Sequence, residues 1–159
     1  MGKLKKSAQV VQDSLLAKGY DNEVIELADS TRTAKEAAEA LGCKVAQIAK
    51  SIVFKLKESD NALLVIASGS NRINEKHLGE LIGETLGKAD AECVKEKTGF
   101  AIGGVSPVIQ DATIKVIIDE DLLQYEDIWG AAGHPKAVFQ MTPVQLIELT
   151  DGEVLNIKG

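Results

Sequence analysis

Short apolar runs rich in β-branched residues recur along this chain, and the segments between them limit how the runs can be arranged. The clearest runs are SIVFKL, ALLVIA and IKVIID, each typical of a buried strand. Only KESDN separates the first run from the second, whereas parallel neighbours need a crossover of about a dozen residues or more. The pattern therefore predicts an α/β (α+β) fold in which a mixed, curved, partly barrel-like β-sheet is surrounded by short helices.

Capping signals place short helices between these strands. Helices are predicted to begin at Ser7, Thr33, Asn74, Asp90 and Thr142, and to end near Lys18, Gly42, Ile82, Gly99 and Leu149. VAQIAK is interpreted as one or two helical turns leading into SIVFKL, and SGSN as a turn. The segments NEVIELA, AVFQM and EVLNIK are predicted to be further, weaker strands.

Composition narrows the class of protein. The 159 residues are 45% hydrophobic, 26% charged and 4% aromatic, which predicts one globular domain over residues 1–159 with an aliphatic core. No apolar stretch approaches the roughly 20 residues that cross a bilayer, and the start lacks a secretory signal, so we expect a cytoplasmic protein without a membrane partner. We also expect a monomer. The net charge of −6 argues against DNA and against extensive nucleic-acid contact, though not against a small contact made by one lysine and backbone amides.

The usual constellations for catalysis are missing from the sequence. It has no phosphate-binding GxxxxGK[ST], no GxGxxG after a strand and no HExxH or paired-cysteine spacing, so neither a cofactor nor a metal is expected. His77 is interpreted as a solvated residue on a helix. Cys43 and Cys93 are interpreted as buried free thiols, and the helix end before Cys43 disfavours a thiolate there.

Three local features remain as candidates for chemistry. Lys50 stands where AQIAK meets SIVF, either reaching out to solvent or clamping a phosphate or carboxylate at a cleft. The glycines of GFAIGGVSP serve either a structural turn or a loop whose backbone amides converge on an oxyanion. The loop AAGHP presents His134, which is either idle or holds a polar group beside a pocket.

Taken in order, TRTAKEAAEALG, QIAKSIVF, LLVIASGSNRIN, TGFAIGGVSP and the IKVIID strand resemble the YbaK family of aminoacyl-tRNA deacylases. The same fold forms the editing insertion of bacterial prolyl-tRNA synthetases, so the resemblance implies a YbaK/prolyl-tRNA synthetase-associated domain fold. It covers the chain from about Ser7 to Lys158. Its most specific marks are the lysine of IAKS, which is Lys50, and the GxxxP loop that runs from Gly103 to Pro107.

The resemblance implies hydrolysis of the ester that joins a wrong amino acid to the 3′ end of a tRNA, without a metal or a covalent intermediate. By the same resemblance Lys50 would hold the terminal adenosine or its phosphate. Catalysis would also use Gly103 and Gly104, with neighbouring amides orienting the carbonyl or the attacking water. The residues implied to contact the substrate are Val105, Ser106 and Pro107 of the loop, and Gly133 and His134, of which His134 is a candidate selector of the amino acid.

The implied partner is the 3′ end of an aminoacyl-tRNA, and a prolyl-tRNA synthetase is a candidate second partner that would supply the rest of the tRNA. The edited amino acid is expected to be small, such as alanine, serine, threonine or cysteine, with tRNA-Pro a candidate carrier. Two other hypotheses stay open: a non-catalytic module that binds a tRNA end or nucleotide and regulates a synthetase, and a general small-molecule esterase.

Overall fold

The structure is a computed structural model that describes residues 6–27, 33–100, 104–108, 114–134 and 136–159. Within these ranges the strands are β1 Val24–Glu26, β2 Ile48–Leu56, β3 Ala62–Ser68, β4 Leu86–Lys88, β5 Lys115–Asp119, β6 Ile128–Ala131, β7 Ala137–Met141 and β8 Glu153–Leu155. The helices are α1 Lys6–Ala17, α2 Ala34–Leu41, α3 Glu75–Ile82, α4 Ala91–Thr98 and α5 Pro143–Thr150, with 3₁₀ turns at Val45–Gln47 and Glu120–Gln124.

The strands form one mixed sheet in the order β1-β7-β6-β2-β3-β5-β8, and β4 pairs with β2. The hairpin partners β2 and β3 are antiparallel, as are β6 and β7, whereas β3 runs parallel to β5 and β5 to β8. The predicted mixed sheet with short surrounding helices is therefore confirmed. Its central strands are continuous apolar runs because both faces of the sheet are covered.

Four of the five predicted helix starts are confirmed by their caps. The fifth is wrong, because Ser7 lies inside α1, which spans Lys6–Ala17, and so does not cap it. The side chains of Thr33, Asn74, Asp90 and Thr142 each accept a hydrogen bond from a backbone N–H in the first turn of the helix that follows. Each of these bonds pairs one of the amide groups that a helix leaves unsatisfied at its start. No helix in the described ranges is long and apolar enough to span a membrane.

Several expectations from the sequence are corrected. VAQIAK is not helical to its end: the 3₁₀ turn stops at Gln47 and β2 begins at Ile48, so Lys50 lies inside the strand rather than at its entry. His77 is not simply solvated, because its Nε2 atom lies 3.1 Å from the carbonyl oxygen of Asn156. The free thiols Cys43 and Cys93 are half-buried rather than buried, and burial raises the pKa of Cys43.

The two faces of the sheet bury different cores. On one face Ala49 and Val53 of β2 pack with Leu64 and Ile66 of β3 in the larger apolar cluster. On the other face Phe54 of β2 belongs to a second cluster with residues from β3, α3 and β4. Alternation along β2 therefore fixes which face each of its polar residues occupies.

Candidate functional site

The candidate site lies at a break in the sheet beside β2. On the edge of β2 away from β3, β6 pairs with Ile48 and Ala49, and β4 pairs with residues 54–56. Residues 50–53 therefore have a strand partner on the β3 side alone, as far as the described residues show. This stretch of strand, which we call the open edge of β2, is where a ligand could approach the backbone.

The peptide groups that point toward the open edge can be identified from the register. The Ile48 carbonyl oxygen accepts a hydrogen bond of 2.8 Å from the Gly69 N–H, so the peptide groups of Ile48 point toward the β3 side. Successive residues of a strand alternate in this direction. The N–H and C=O groups of Ser51 and Val53 consequently point to the open edge.

Two cavities meet at this edge. The smaller has a volume of about 70 Å³, and its walls are formed by Ala34, Ala37, Ile48, Ala49, Lys50, Ser51, Val105, Trp129, Gly130, Ala131 and Val138. The larger is an open cleft of about 1040 Å³. They share four lining residues, which are Ala34, Lys50, Ser51 and Val105. We call these shared residues the junction.

The two cavities differ in chemistry. The smaller is lined mainly by alanine, valine and glycine, with Ile48 and Trp129 as its larger members and with the ammonium-bearing Lys50 and the hydroxyl-bearing Ser51. The cleft carries the cationic side chains of Lys35, Lys50, Arg72 and Lys88 against the single carboxylate of Glu75, among the described residues. An apolar pocket thus opens from a locally basic cleft, in a chain whose net charge is −6.

Lys50 is held at the junction from the turn after β3. Its Nζ donates to the carbonyl oxygen of Asn71 at 3.1 Å. The Nδ2 atom of Asn71 in turn lies 2.8 Å from a carboxylate oxygen of Asp119 and 2.8 Å from one of Asp121. Burial lowers the pKa of Lys50 below its ordinary value of 10.5, the Arg72 charge lowers it further, and Asp119 acts in the opposite direction.

The glycine-rich loop is described over residues 104–108, and Gly103 lies outside the described residues. Gly104 passes directly against the backbone of His134, and its carbonyl oxygen accepts a 3.0 Å hydrogen bond from the Gly133 N–H. A side chain at position 104 would overlap that backbone, so this approach requires glycine. The contact carries the following residue, Val105, to the junction.

The other loop positions are buried. Ser106 is fully buried, and its hydroxyl accepts a hydrogen bond of 3.0 Å from the Val108 N–H. Pro107 is buried beside Gly130 of β6. Neither residue is among those that line the two cavities in the described part of the chain, so their contact with substrate stays a prediction.

The ring of His134 has partners of its own. Its Nδ1 accepts from the Lys136 N–H at 3.1 Å, which leaves Nε2 as the donor to the Glu26 carboxylate at 2.6 Å. Neither His134 nor Gly133 belongs to the described lining of the two cavities. The structure thus brings Lys50 together with Val105, and it connects Gly133 and His134 to the site through Gly104.

Comparison with known proteins assigns the chain to a family. The model of the aminoacyl-tRNA editing domain matches residues 28–149, a range that contains the junction and the glycine-rich loop. The chain belongs to the aminoacyl-tRNA editing domain family. This agrees with the resemblance found in the sequence.

The relatives of this editing domain include proteins of similar length and much longer ligases that contain a matching segment. The uncharacterised protein YwhH of Bacillus subtilis is 31% identical over 134 residues, which cover 84% of this chain and 85% of that protein. Proline–tRNA ligase of Lactobacillus acidophilus is 34% identical over 109 residues, covering 68% of this chain but only 19% of the ligase. A crystal structure of a candidate trans-editing enzyme for prolyl-tRNA synthetase superposes with a TM-score of 0.92, at 44% identity over 99% of both chains.

Sequence reasoning missed two residues at the site of this editing domain. Asn71 lies in a segment that the sequence marks only as a turn, and its link to Lys50 depends on the fold. Ser51 follows Lys50 directly and lines both cavities. A serine inside an apolar strand was the available signal, because a hydroxyl in a core requires a hydrogen-bond partner.

Proposed function

We propose that this editing domain hydrolyses the ester between a small amino acid and the 3′-terminal ribose of a mischarged tRNA. The observation that carries the proposal is the junction, at which a small apolar cavity and a basic cleft share Lys50, Ser51 and Val105. An aminoacyl adenosine has the same division. Its amino-acid side chain is small and uncharged, its nucleotide part is anionic, and the ester lies between them.

The size of the smaller cavity supports a small amino acid. Its volume is about 70 Å³, and about 10–15 Å³ of such volume holds one water molecule. The space therefore suits a side chain of a few heavy atoms at most. Its alanine and valine walls offer apolar contacts, so alanine is the first amino acid to test, followed by serine, threonine and cysteine.

The cleft supports an anionic partner. Lys35, Arg72 and Lys88 line the same cleft as Lys50, and their positive charge would suit the phosphates of a tRNA end. A contact confined to the terminal nucleotides is compatible with an acidic chain, because screening limits repulsion between the rest of the surface and the tRNA to about 10 Å.

The reaction needs little from the protein. Water adds to the ester carbonyl carbon, the bond to the ribose oxygen breaks, that oxygen takes a proton, and free amino acid and tRNA are released. Lys50 would fix the nucleotide, and backbone amides of the glycine-rich loop would stabilise the oxyanion. One such donor contributes about 2.7–4 kcal/mol in enzymes that use an oxyanion hole.

A prolyl-tRNA synthetase is the proposed partner, and tRNA-Pro the proposed carrier. The proposal is supported by the match to proline–tRNA ligases and by the likeness to a candidate trans-editing enzyme for that synthetase. A separate chain of this kind would act in trans on tRNA that the synthetase has mischarged.

The test is a panel of mischarged tRNAs incubated with the wild-type protein, with Lys50→Ala and with Lys55→Ala. Lys55 lies on the same strand but forms an exposed ion pair with Asp60, so it is a matched control. We expect release of a small amino acid, a loss of about 10²-fold in kcat/KM for Lys50→Ala and wild-type rates for Lys55→Ala. Binding of tRNA without hydrolysis of any ester would contradict the proposal and favour a non-catalytic binding module.

A further inference from the structure

The hydroxyl of Ser51 is buried and has no hydrogen-bond partner among the described residues. Other buried hydroxyls in these ranges are satisfied: Ser68 Oγ donates to the Ala46 carbonyl at 2.7 Å, and Thr98 Oγ1 donates to the Val94 carbonyl at 2.7 Å. Because an unpaired buried polar group destabilises the fold, native structures rarely keep one without a reason. The exception at Ser51 therefore indicates a missing partner.

The position of Ser51 shows where that partner would lie. Ser51 lines both the small cavity and the cleft, and its buried hydroxyl lies within the wall of the junction. Its neighbours on the same face of β2 are Ala49 and Val53, both part of the larger apolar core. Lys50 points to the opposite face of the strand, because successive side chains alternate.

The backbone at the same place adds hydrogen-bonding groups. The N–H and C=O of Ser51 point to the open edge, where neither β6 nor β4 reaches within the described ranges. A ligand at this edge would meet the Ser51 carbonyl oxygen, and the hydroxyl of the same residue lies in the wall of the junction. The hydroxyl is not placed as a nucleophile, since no base contacts it among the described residues.

We infer that Ser51 forms the subsite for the α-amino group of the aminoacyl ester, with its hydroxyl and its carbonyl oxygen accepting hydrogen bonds from that group. The inference rests on the proposed function, because it assumes that an aminoacyl group occupies the junction. Every aminoacyl ester carries this amine, whichever side chain enters the small cavity, and a buried amine requires acceptors. The Lys50 ammonium would face the phosphate on the opposite side of β2. The strand would therefore separate this ammonium from the α-amino group of the substrate.

Two stable probes isolate the contribution of the amine. The first is adenosine whose 3′-oxygen is replaced by an amide-linked alanyl group, and the second carries a propionyl group in place of alanyl. They differ only in the α-amino group. By isothermal titration calorimetry we expect the wild-type protein to bind the alanyl probe about 10- to 100-fold more tightly, the range for hydrogen bonds to a charged group.

Ser51→Ala removes the hydroxyl and keeps the backbone carbonyl. We expect this variant to lose about tenfold of the preference for the alanyl probe while binding the propionyl probe as the wild type does. Its melting temperature should stay equal or rise, because the hydroxyl that is removed has no partner in the free protein. Ser68→Ala is the control: it removes a bonded hydroxyl on β3 and should lower the melting temperature. Ser51→Thr, which keeps a hydroxyl, should retain most of the preference.

The inference is overturned if wild-type protein binds both probes equally or binds neither, if Ser51→Ala keeps the full preference, or if Ser51→Ala lowers the melting temperature as Ser68→Ala does. Its failure is distinguishable from failure of the proposed function. A protein that prefers the alanyl probe through Ser51 but hydrolyses no aminoacyl-tRNA would contradict catalysis and support the subsite. A protein that hydrolyses aminoacyl-tRNA at unchanged rates in the Ser51→Ala form would do the reverse.

Discussion

The ammonium of Lys50 donates a hydrogen bond of 3.1 Å to the carbonyl oxygen of Asn71, which joins the middle of β2 to the turn after β3. The same turn is also held by a fully buried carboxylate, because the Asn71 Nδ2 atom donates to Asp119 Oδ2 at 2.8 Å. Asp119 also accepts from the Ser68 N–H at 3.0 Å. The position of the Lys50 ammonium therefore depends on a carboxylate that it does not contact directly.

Asn71→Ala should weaken the hold on Lys50 without removing the carbonyl that Lys50 contacts. We expect a fall of about tenfold in kcat/KM for the deacylation, because the ammonium loses its fixed position. Stability should fall by about 1–3 kcal/mol, since Asp119 and Asp121 each lose a donor. Kinetics with mischarged tRNA and urea denaturation measure the two effects.

Ser70→Ala is the control for that variant, because Ser70 lies in the same turn and its hydroxyl contacts only Ser68 Oγ, at 3.3 Å, among the described contacts. It should leave kcat/KM within about twofold of the wild type. Loss of stability in Asn71→Ala with undiminished activity would show that the turn does not position Lys50.

Lys50→Met tests the electrostatic cost of the site. Because the pKa of Lys50 is lowered in the fold, the unfolded chain keeps a proton that the folded chain loses as the pH approaches the ordinary value of 10.5. The free energy of unfolding of the wild type therefore rises, relative to that of Lys50→Met, as the pH increases through this window. We expect Lys50→Met to be at least as stable as the wild type near pH 8, and any advantage to shrink toward pH 10.5, in denaturation series at each pH.

Lys55→Met gives the opposite sign and serves as the control. Asp60 raises the pKa of Lys55, so its ion pair stabilises the fold below the ordinary lysine pKa and is lost only as the pH rises beyond it. This variant should be slightly less stable than the wild type near neutral pH. If both variants shifted stability in the same direction, the desolvation of Lys50 would not be the cause.

Local signals predicted most of the regular structure. Cap residues such as Thr33 and Asn74 fix helix starts through hydrogen bonds to backbone groups within one turn. The signal for such a start therefore lies in a few consecutive residues of the sequence. The strands β4 and β6 were missed because LGK and IWGA are short and contain glycine. Such segments become strands through their partners in the sheet and not through their own propensity.

The same reason explains what the sequence concealed about the site. The open edge of β2 exists because its pairing with β6 ends at Ala49 and its pairing with β4 begins at Phe54, and neither pairing is encoded near Lys50. The resemblance to the YbaK family predicted Lys50 and the glycine-rich loop together, and Val105 of that loop does line a cavity with Lys50. For Ser51 the sequence shows only a serine inside an apolar strand, and whether its hydroxyl is satisfied can be recognised only once its surroundings are known.

Gly104→Ala should disrupt the glycine-rich loop. A β-carbon at this position would lie 2.4 Å from the Cα and 2.7 Å from the nitrogen of His134, both backbone atoms that cannot rotate away. We expect a loss of about 1–3 kcal/mol in stability and deacylation near background, since Val105 would leave the junction. Chemical denaturation and the deacylation assay measure these changes.

Gly87→Ala is the matched control in β4. The nearest atom to its added β-carbon is Cε of Lys57 at 3.1 Å, part of a flexible side chain. The nearest backbone atom is the Lys55 oxygen at 3.3 Å, which needs to shift by only a few tenths of an ångström. This variant should retain activity and most of its stability. Equal losses in the two alanine variants would mean that the close approach of Gly104 to His134 is not what shapes the loop.

Val138→Ala should widen the small cavity and change which amino acid is removed. Val138 is buried and lines that cavity from β7, and shortening it makes room for about one more methylene on the substrate side chain. One methylene is worth about 1–3 kcal/mol in such a pocket, so the kcat/KM ratio of 2-aminobutyryl-tRNA to alanyl-tRNA should rise about tenfold. Val24→Ala removes the same atoms from the neighbouring strand β1, outside the described lining, and should lower stability similarly while leaving the ratio unchanged. An unchanged ratio in Val138→Ala would mean that the small cavity does not hold the amino-acid side chain.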